Sequence, residues 1–251
     1  MSGHNKWSNI KHKKGAIDAQ RGKTFTKLIR EIEVAARIGG GDPNSNPRLR
    51  AIISKARVAN MPKDNIDKAI KKGTGEIQGE TYEEIYYEGY GPAGVAIMIK
   101  TLTDNKNRTA SAIRTTLSKY GGNLGENGCV GWMFKHKGVI TLEKDKFSED
   151  ELANLALELN ADDYSLKDDV WEIYVDPNEV EKIKEILEKK NISYISAEST
   201  MVPDNTVKLT ENEAIRMLKM LDVLDENEDV QETYDNAEID DTVIEKYEQM
   251  S

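Results

Sequence analysis

The sequence predicts a multidomain protein of α and α+β class: a helical N-terminal domain followed by two α+β domains, one of them ferredoxin-like and inserted into the other. Three observations carry this expectation. Residues 1–73 hold 17 Lys+Arg against 6 Asp+Glu while the rest of the 251-residue chain holds 18 against 39, so a net charge of −10 conceals a basic first segment. Near Tyr82 the hydrophobic period changes from helical to alternating. From GVITLEK to ISYISAESTMVP the element order reads β-α-β-β-α-β, the split βαβ arrangement.

The elements follow in order. TFTKLIREIEVAARIGGGDP sets Phe25, Leu28, Ile29, Ile32, Ala35 and Ala36 at helix spacing, and Gly39 to Gly41 end the helix. Asn46 is placed to cap a second helix with Pro47 at its first position; Pro62 starts a third, closed by Gly73. YEEIYYEGYGPAGVAIMIKTLT reads as two strands joined at Gly91-Pro92, and NRTASAIRTTLSKYGG as a helix closed by Gly121. CVGWMF and GVITLEK read as strands around a turn at Lys135 to Lys137. A helix capped by Ser148, strands at DYSLKDD and VWEIYVD, a helix opening at Pro177 and the strand ISYISAESTMVP complete the insertion. TENEAIRMLKMLDVLDE and DVQETYDNAEI then return a helix and an edge strand to the middle domain. The expected boundaries are 1–78 for the helical domain, 79–136 with 205–240 for the discontinuous middle domain and 137–204 for the insertion. Residues 241–251 read as a C-terminal tail, frayed or a short helix.

Several functions are excluded or disfavoured. A single cysteine, Cys129, cannot close an intramolecular disulfide; it reads as a small buried hydrophobe in an apolar strand, and a reducing cytoplasmic setting is expected. No stretch of about 18 apolar residues is present, so no membrane partner is expected. The P-loop, dinucleotide and zinc-protease motifs are missing, no nucleophile has a visible base, and no catalytic residue or cofactor is assigned. The pairs Asp162-Asp163 and Asp168-Asp169 have magnesium-ligand chemistry but sit in a segment acidic throughout, and read as solvated loop. Were Met1 removed, Ser2-Gly3-His4 could bind Cu(II) or Ni(II) in a square plane, a property of the test tube rather than of physiology.

Positive charge concentrated at one end points to a polyanion. The opening MSGHNKWSNIKHKKGAIDAQRGK places Trp7 among lysines, where it either staples the arm to the helices or stacks on an unpaired base. The candidate nucleic-acid contacts are Lys6, Trp7, Lys11, His12, Lys13, Lys14, Arg21, Lys23, Lys27, Arg30, Arg48, Arg50 and Arg108. The stretch IGGGDPNSNPRLR reads either as an interhelix linker or as backbone amides offered to a phosphate. YGGNLGENG reads as a helix cap followed by a turn.

With MSGHNKWSNIKHKK, RGKTFTKLIREI, AARIGGGDPNSNPRLR, NMPKDNIDKAIKKGTGE, YEGYGPAGVAIMI, TDNKNRT and GGNLGENGCVGWMF in succession, the chain resembles the YebC/PmpR family, which includes the mitochondrial translational activator of cytochrome c oxidase. The resemblance covers nearly the whole chain and implies a three-domain fold with one α+β domain inserted in another. Beginning at its G-H-x-K-W motif, the chain is expected to be a bacterial member without an organellar leader. The resemblance implies one of two roles and carries over no catalytic residue. The leading expectation is a non-enzymatic, monomeric translation factor that binds large-subunit ribosomal RNA, with tRNA as a further partner, and assists peptide bond formation at proline-rich sequences by positioning substrates. The alternative is a DNA-binding transcriptional regulator; no helix-turn-helix pattern with an obvious recognition helix appears.

Overall fold

The computed structural model describes residues 17–167 and 169–250. They separate into two compact units, one of residues 132–206 and one in which the chain before and after that stretch comes together. Both mix helix and sheet, so the protein has several α+β parts beside its helical start, in line with the expected class. No described helix is long and apolar enough to cross a membrane.

The larger unit begins with three helices: α1 (Ile17–Gly39), α2 (Pro47–Val58) and α3 (Lys63–Thr74). Their core is thin: Ile32, Ala35 and Ala36 of α1 meet Leu49, Ile53 and Ala56 of α2 and Ile66 and Ala69 of α3. Asn46 does more than cap. Its Oδ1 accepts the Leu49 amide at 3.0 Å, while its buried Nδ2 donates to the carbonyls of Ala35 (2.9 Å) and Gly40 (2.8 Å). A Cβ on Gly39 would fall 2.6 Å from that Nδ2, so glycine is required there. The expected end of the third helix is corrected: α3 runs to Thr74, and its left-handed cap is Gly75 (φ 82°). Gly73 lies inside the helix because a Cβ would run into the Glu33 carbonyl of α1.

β1 (Glu83–Tyr90) and β2 (Ala96–Thr103) pair antiparallel from Glu83 opposite Thr103 to Tyr90 opposite Ala96. A 3₁₀ turn at Pro92–Gly94 joins them. The helix α4 (Lys106–Lys119) follows, and β3 (Asn123–Leu124) pairs with β1. After the smaller unit the chain supplies β8 (Val207–Lys208), α7 (Glu211–Glu226), β9 (Val230–Asp235) and β10 (Ala237–Glu238). β9 completes the sheet β3-β1-β2-β9 through β2, and β8 pairs parallel with β10. One sheet face buries Val95, Ile97 and Ile99 beneath Ile113 and Leu117 of α4 and Met217 and Leu221 of α7. Of the two forms expected for the C-terminal tail, frayed or a short helix, it takes the helix. Residues Asp241–Met250 form α8, which seats Val243, Ile244 and Tyr247 in the same core and donates the Tyr247 hydroxyl to Asp222 at 2.8 Å.

The smaller unit runs β4 (Phe134–Glu143), α5 (Glu149–Glu158), β5 (Asp163–Lys167), β6 (Val170–Val175), α6 (Val180–Lys189) and β7 (Ser196–Pro203). Its sheet order is β5-β6-β4-β7, every neighbour antiparallel. Ile140, Leu142, Trp171 and Ile173 pack against Leu152 of α5 and Ile183 and Leu187 of α6. Ser148 and Glu151 form a reciprocal capping box at α5, as the sequence suggests. No turn interrupts Lys135 to Lys137. These residues belong to one continuous strand held along its length by β7, and the preceding Gly131–Met133 is a 3₁₀ turn rather than a strand.

Candidate nucleic-acid interface

Of the residues expected to meet nucleic acid, Lys6, Trp7, Lys11, His12, Lys13 and Lys14 lie outside the described residues, as do Ser2, Gly3, His4 and Asp168. The others divide sharply. Lys23, Lys27 and Arg30 sit at i, i+4 and i+7 on α1 and share one helix face. That face meets the acidic run between α7 and β9. Lys23 lies 3.6 Å from Glu226, and Lys27 reaches Asp225 through its carboxylate (2.7 Å) and its carbonyl (2.9 Å). Arg30 bonds the Asp229 carboxylate at 2.7 Å and the Glu228 carbonyl at 2.8 Å, with its guanidinium 4.9 Å from the centre of the Tyr82 ring.

Asp229 is the centre of this seam. Its side chain is 7% exposed, and it also takes Arg108 at 3.0 Å and the Thr109 hydroxyl at 2.7 Å. Burial alone would raise its pKa, but these donors hold it below the usual aspartate range. Arg108 is further held by Asp104 at 2.6 Å. Arg48 pairs with Glu84 of β1. Deeper in the seam Lys100 of β2 lies 3.6 Å from Glu232 of β9, and burial beside Glu232 raises the pKa of Glu31 on α1. Lys23, Lys27, Arg30, Arg48 and Arg108 therefore carry intramolecular ion pairs, and Arg30, with a side chain 11% exposed, is largely withdrawn from solvent. Sequence patterning could not reveal this, because the acids answering α1 lie about 200 residues downstream.

Arg21 remains exposed, donating to the Asn60 carbonyl at 3.2 Å with its guanidinium 5.4 Å from the Phe25 ring centre. Arg50 is exposed and makes only long contacts, 3.4 Å each, to the Pro43 and Asn44 carbonyls. Among the exposed cations that escaped the sequence reading are Arg57 at the end of α2, and Lys68 and Lys71 on α3. Among the described residues none of Arg50, Arg57, Lys68 and Lys71 has a carboxylate within ion-pairing distance. Both helices are 12 residues long, and they are joined by Ala59 to Pro62 with Asn60 left-handed (φ 58°). This is the connection length of a helix-turn-helix, with asparagine where glycine would have signalled it.

The two glycine-rich stretches serve the fold. In the loop before α2, the amides of Gly40, Ser45 and Asn46 bond to backbone carbonyls and that of Asn44 to the Asp42 carboxylate at 2.9 Å, so few donors remain for a phosphate. In GENGCVG the amides of Gly128, Val130 and Gly131 converge on the buried Glu88 carboxylate at 2.8, 2.8 and 2.6 Å. These three donors outweigh the effect of burial and lower the Glu88 pKa. Cys129 sits in this loop rather than in a strand, half-buried, its thiol pushed up by burial and by Glu88. Asp162 pairs with Lys137, and among the described residues no three His, Cys, Asp or Glu side chains are grouped to hold a metal ion.

A basic helical start joined by a charged seam to an α+β domain, with a second α+β unit of residues 132–206, defines a class of multidomain proteins rather than a one-domain fold. The particular family follows from comparison. A profile described as the N-terminal domain of the TACO1/YebC protein matches residues 5–76, and one described as its second and third domain matches residues 82–237. The chain belongs to the TACO1/YebC family. It is 56% identical over 246 residues to a probable transcriptional regulatory protein of Geobacter sulfurreducens, spanning 98% of this chain and 99% of that one. It is 50% identical to a probable transcriptional regulatory protein of Sulfurihydrogenibium, over 99% of this chain and all of that one. Among solved structures it resembles a conserved hypothetical protein of Aquifex aeolicus, with TM-score 0.78, 48% identity, and 92% and 96% of the two chains covered.

Proposed function

We propose that this protein is a non-enzymatic, cytoplasmic regulator of gene expression that acts by binding nucleic acid through its helical domain, with duplex DNA as the main ligand. The observation that carries this reading is the pair α2 and α3, two 12-residue helices on a four-residue turn inside the strongly basic first segment. The names of full-length relatives, probable transcriptional regulatory proteins, favour the same reading. The acidic remainder of the chain limits how DNA can approach, by repelling phosphates. In this reading the split βαβ connectivity of residues 132–206 is a ferredoxin-like domain inserted into the middle domain, and the protein works as a monomer.

A second reading has one observation of its own. Trp132 is 70% exposed, an aromatic face of the kind that stacks on unpaired RNA bases. It supports a translation factor that binds large-subunit ribosomal RNA, with tRNA beside it. Polysome-gradient sedimentation of tagged protein, beside a variant with Trp7, Lys11, Lys13 and Lys14 changed to Ala, separates the two. Wild type staying at the top of the gradient while retaining a specific duplex in a parallel assay supports the DNA reading. Co-migration with large subunits, lost in the variant, transfers the function to the ribosome.

A further inference from the structure

We infer that phosphate contacts to duplex DNA are made by the exposed faces of α2 and α3, through Arg50, Arg57, Lys68 and Lys71, and that Lys23, Lys27 and Arg30 of α1 take no part. The inference rests on the nucleic-acid reading above and names the surface that performs it.

Charge complementarity singles out this surface. α2 carries Arg48, Arg50, Lys55 and Arg57 and no acid. Leu49, Ile52, Ile53 and Ala56 form its buried stripe, which leaves Arg50, Ser54 and Arg57 at i, i+4 and i+7 along the opposite, exposed side. On α3, Ile66 and Ala69 are buried while Lys68 and Lys71 are exposed, beside Asp64 and Asp67, the two acids of that helix. The cations of α1 and α2 that face the sheet and its acidic turn have an answering charge inside the protein. Lys23, Lys27, Arg30 and Arg48 pair with Glu226, Asp225, Asp229 and Glu84, and Lys55 lies in the field of Glu31 and Glu232. A phosphate approaching α1 would have to displace carboxylates already bound there. One approaching Arg50 and Arg57 displaces only water and two long carbonyl contacts. Self-repulsion along an acid-free helix is relieved when a polyanion docks on it.

The test is fluorescence anisotropy of the full chain with a 30-base-pair duplex at several salt concentrations. It compares wild type, R50Q/R57Q/K68Q/K71Q, R57Q alone and K23Q/K27Q, each confirmed as folded by its melting transition. The quadruple variant is expected to bind at least about tenfold more weakly, with a salt slope shallower by about 3, since each lost phosphate contact removes roughly one unit. R57Q alone is expected to weaken binding about two- to threefold, and K23Q/K27Q to bind as wild type does. Unchanged affinity in the quadruple variant, with wild type binding well, overturns the inference and leaves the DNA reading standing. Wild type that ignores the duplex and binds an RNA hairpin overturns the DNA reading itself, and with it the choice of ligand for this surface.

Discussion

At the scale of single residues, the buried carboxyls define how the protein responds to pH. Asp235 closes β9, fully buried; its Oδ1 accepts the Ala237 amide at 2.9 Å, and Oδ2 has no partner among the described residues. Burial raises its pKa from 3.8 to about 7. The sign follows by linkage. Between pH 4 and pH 7 the unfolded chain loses this proton and the folded chain keeps it, so stability falls across that window and the penalty is complete above pH 7. Asp235→Asn removes the titration and keeps the Oδ1 acceptor. Thermal melts should show the variant gaining on wild type as pH rises from 5 to 8, by about 3 kcal/mol; a parallel pair of stability curves would reject this account. No sequence pattern marks Asp235, because its neighbours in YDNAEI are as polar as those of any loop and only the packed sheet makes the position dry.

At the scale of elements, the seam between α1 and the acidic turn holds the helical domain to its neighbour by charge as well as by shape. Arg30 and Asp229 are both nearly buried, so removing one takes from the other its shortest charged contact in a place where water cannot replace it. Arg30→Ala should cost about 3 kcal/mol, and Asp229→Asn a similar amount, because Arg108 also loses its anchor. The double variant should cost clearly less than the two single ones added together, a coupling measurable by urea denaturation; additive losses would mean that the two side chains act independently. The elements differ in how legible they were. Asn46, Ser148 and Gly121 gave true helix boundaries because capping chemistry is local. That α8 packs into the core was hidden by its acidic, polar composition, since only Val243, Ile244 and Tyr247 face inward. The continuous β4 was hidden by its alternating lysines, which resemble a turn until β7 is seen opposite them.

At the scale of the molecule, the charge division between the ends of the chain is visible in the sequence, but its use is not. Composition locates a basic segment; which cations stay available is decided by partners such as Asp225 and Asp229 that no local pattern connects to α1. The mix of helical and α+β parts was more legible, because changes of hydrophobic period survive without tertiary information. The unit of residues 132–206 has its own core, and β4 and β7 pair from Phe134 opposite Pro203, with Lys135 and Asp204 2.7 Å apart. Its ends therefore meet. Expressed alone, residues 132–206 should unfold in one cooperative transition with dispersed amide resonances, whereas a collapsed, poorly dispersed spectrum would mean that it depends on the rest of the chain.

Order of synthesis gives the charged seam a further meaning. α1 leaves the ribosome almost two hundred residues before Asp225 and Asp229, and β2 waits through more than a hundred residues for β9. Until then the nascent chain carries Lys23, Lys27 and Arg30 without their carboxylates, a sticky basic helix beside the most abundant polyanion in the cell. The end of α7 and the turn after it, made late, are thus what switches this helix off, and a chain truncated before Asp225 would keep its youthful stickiness for good.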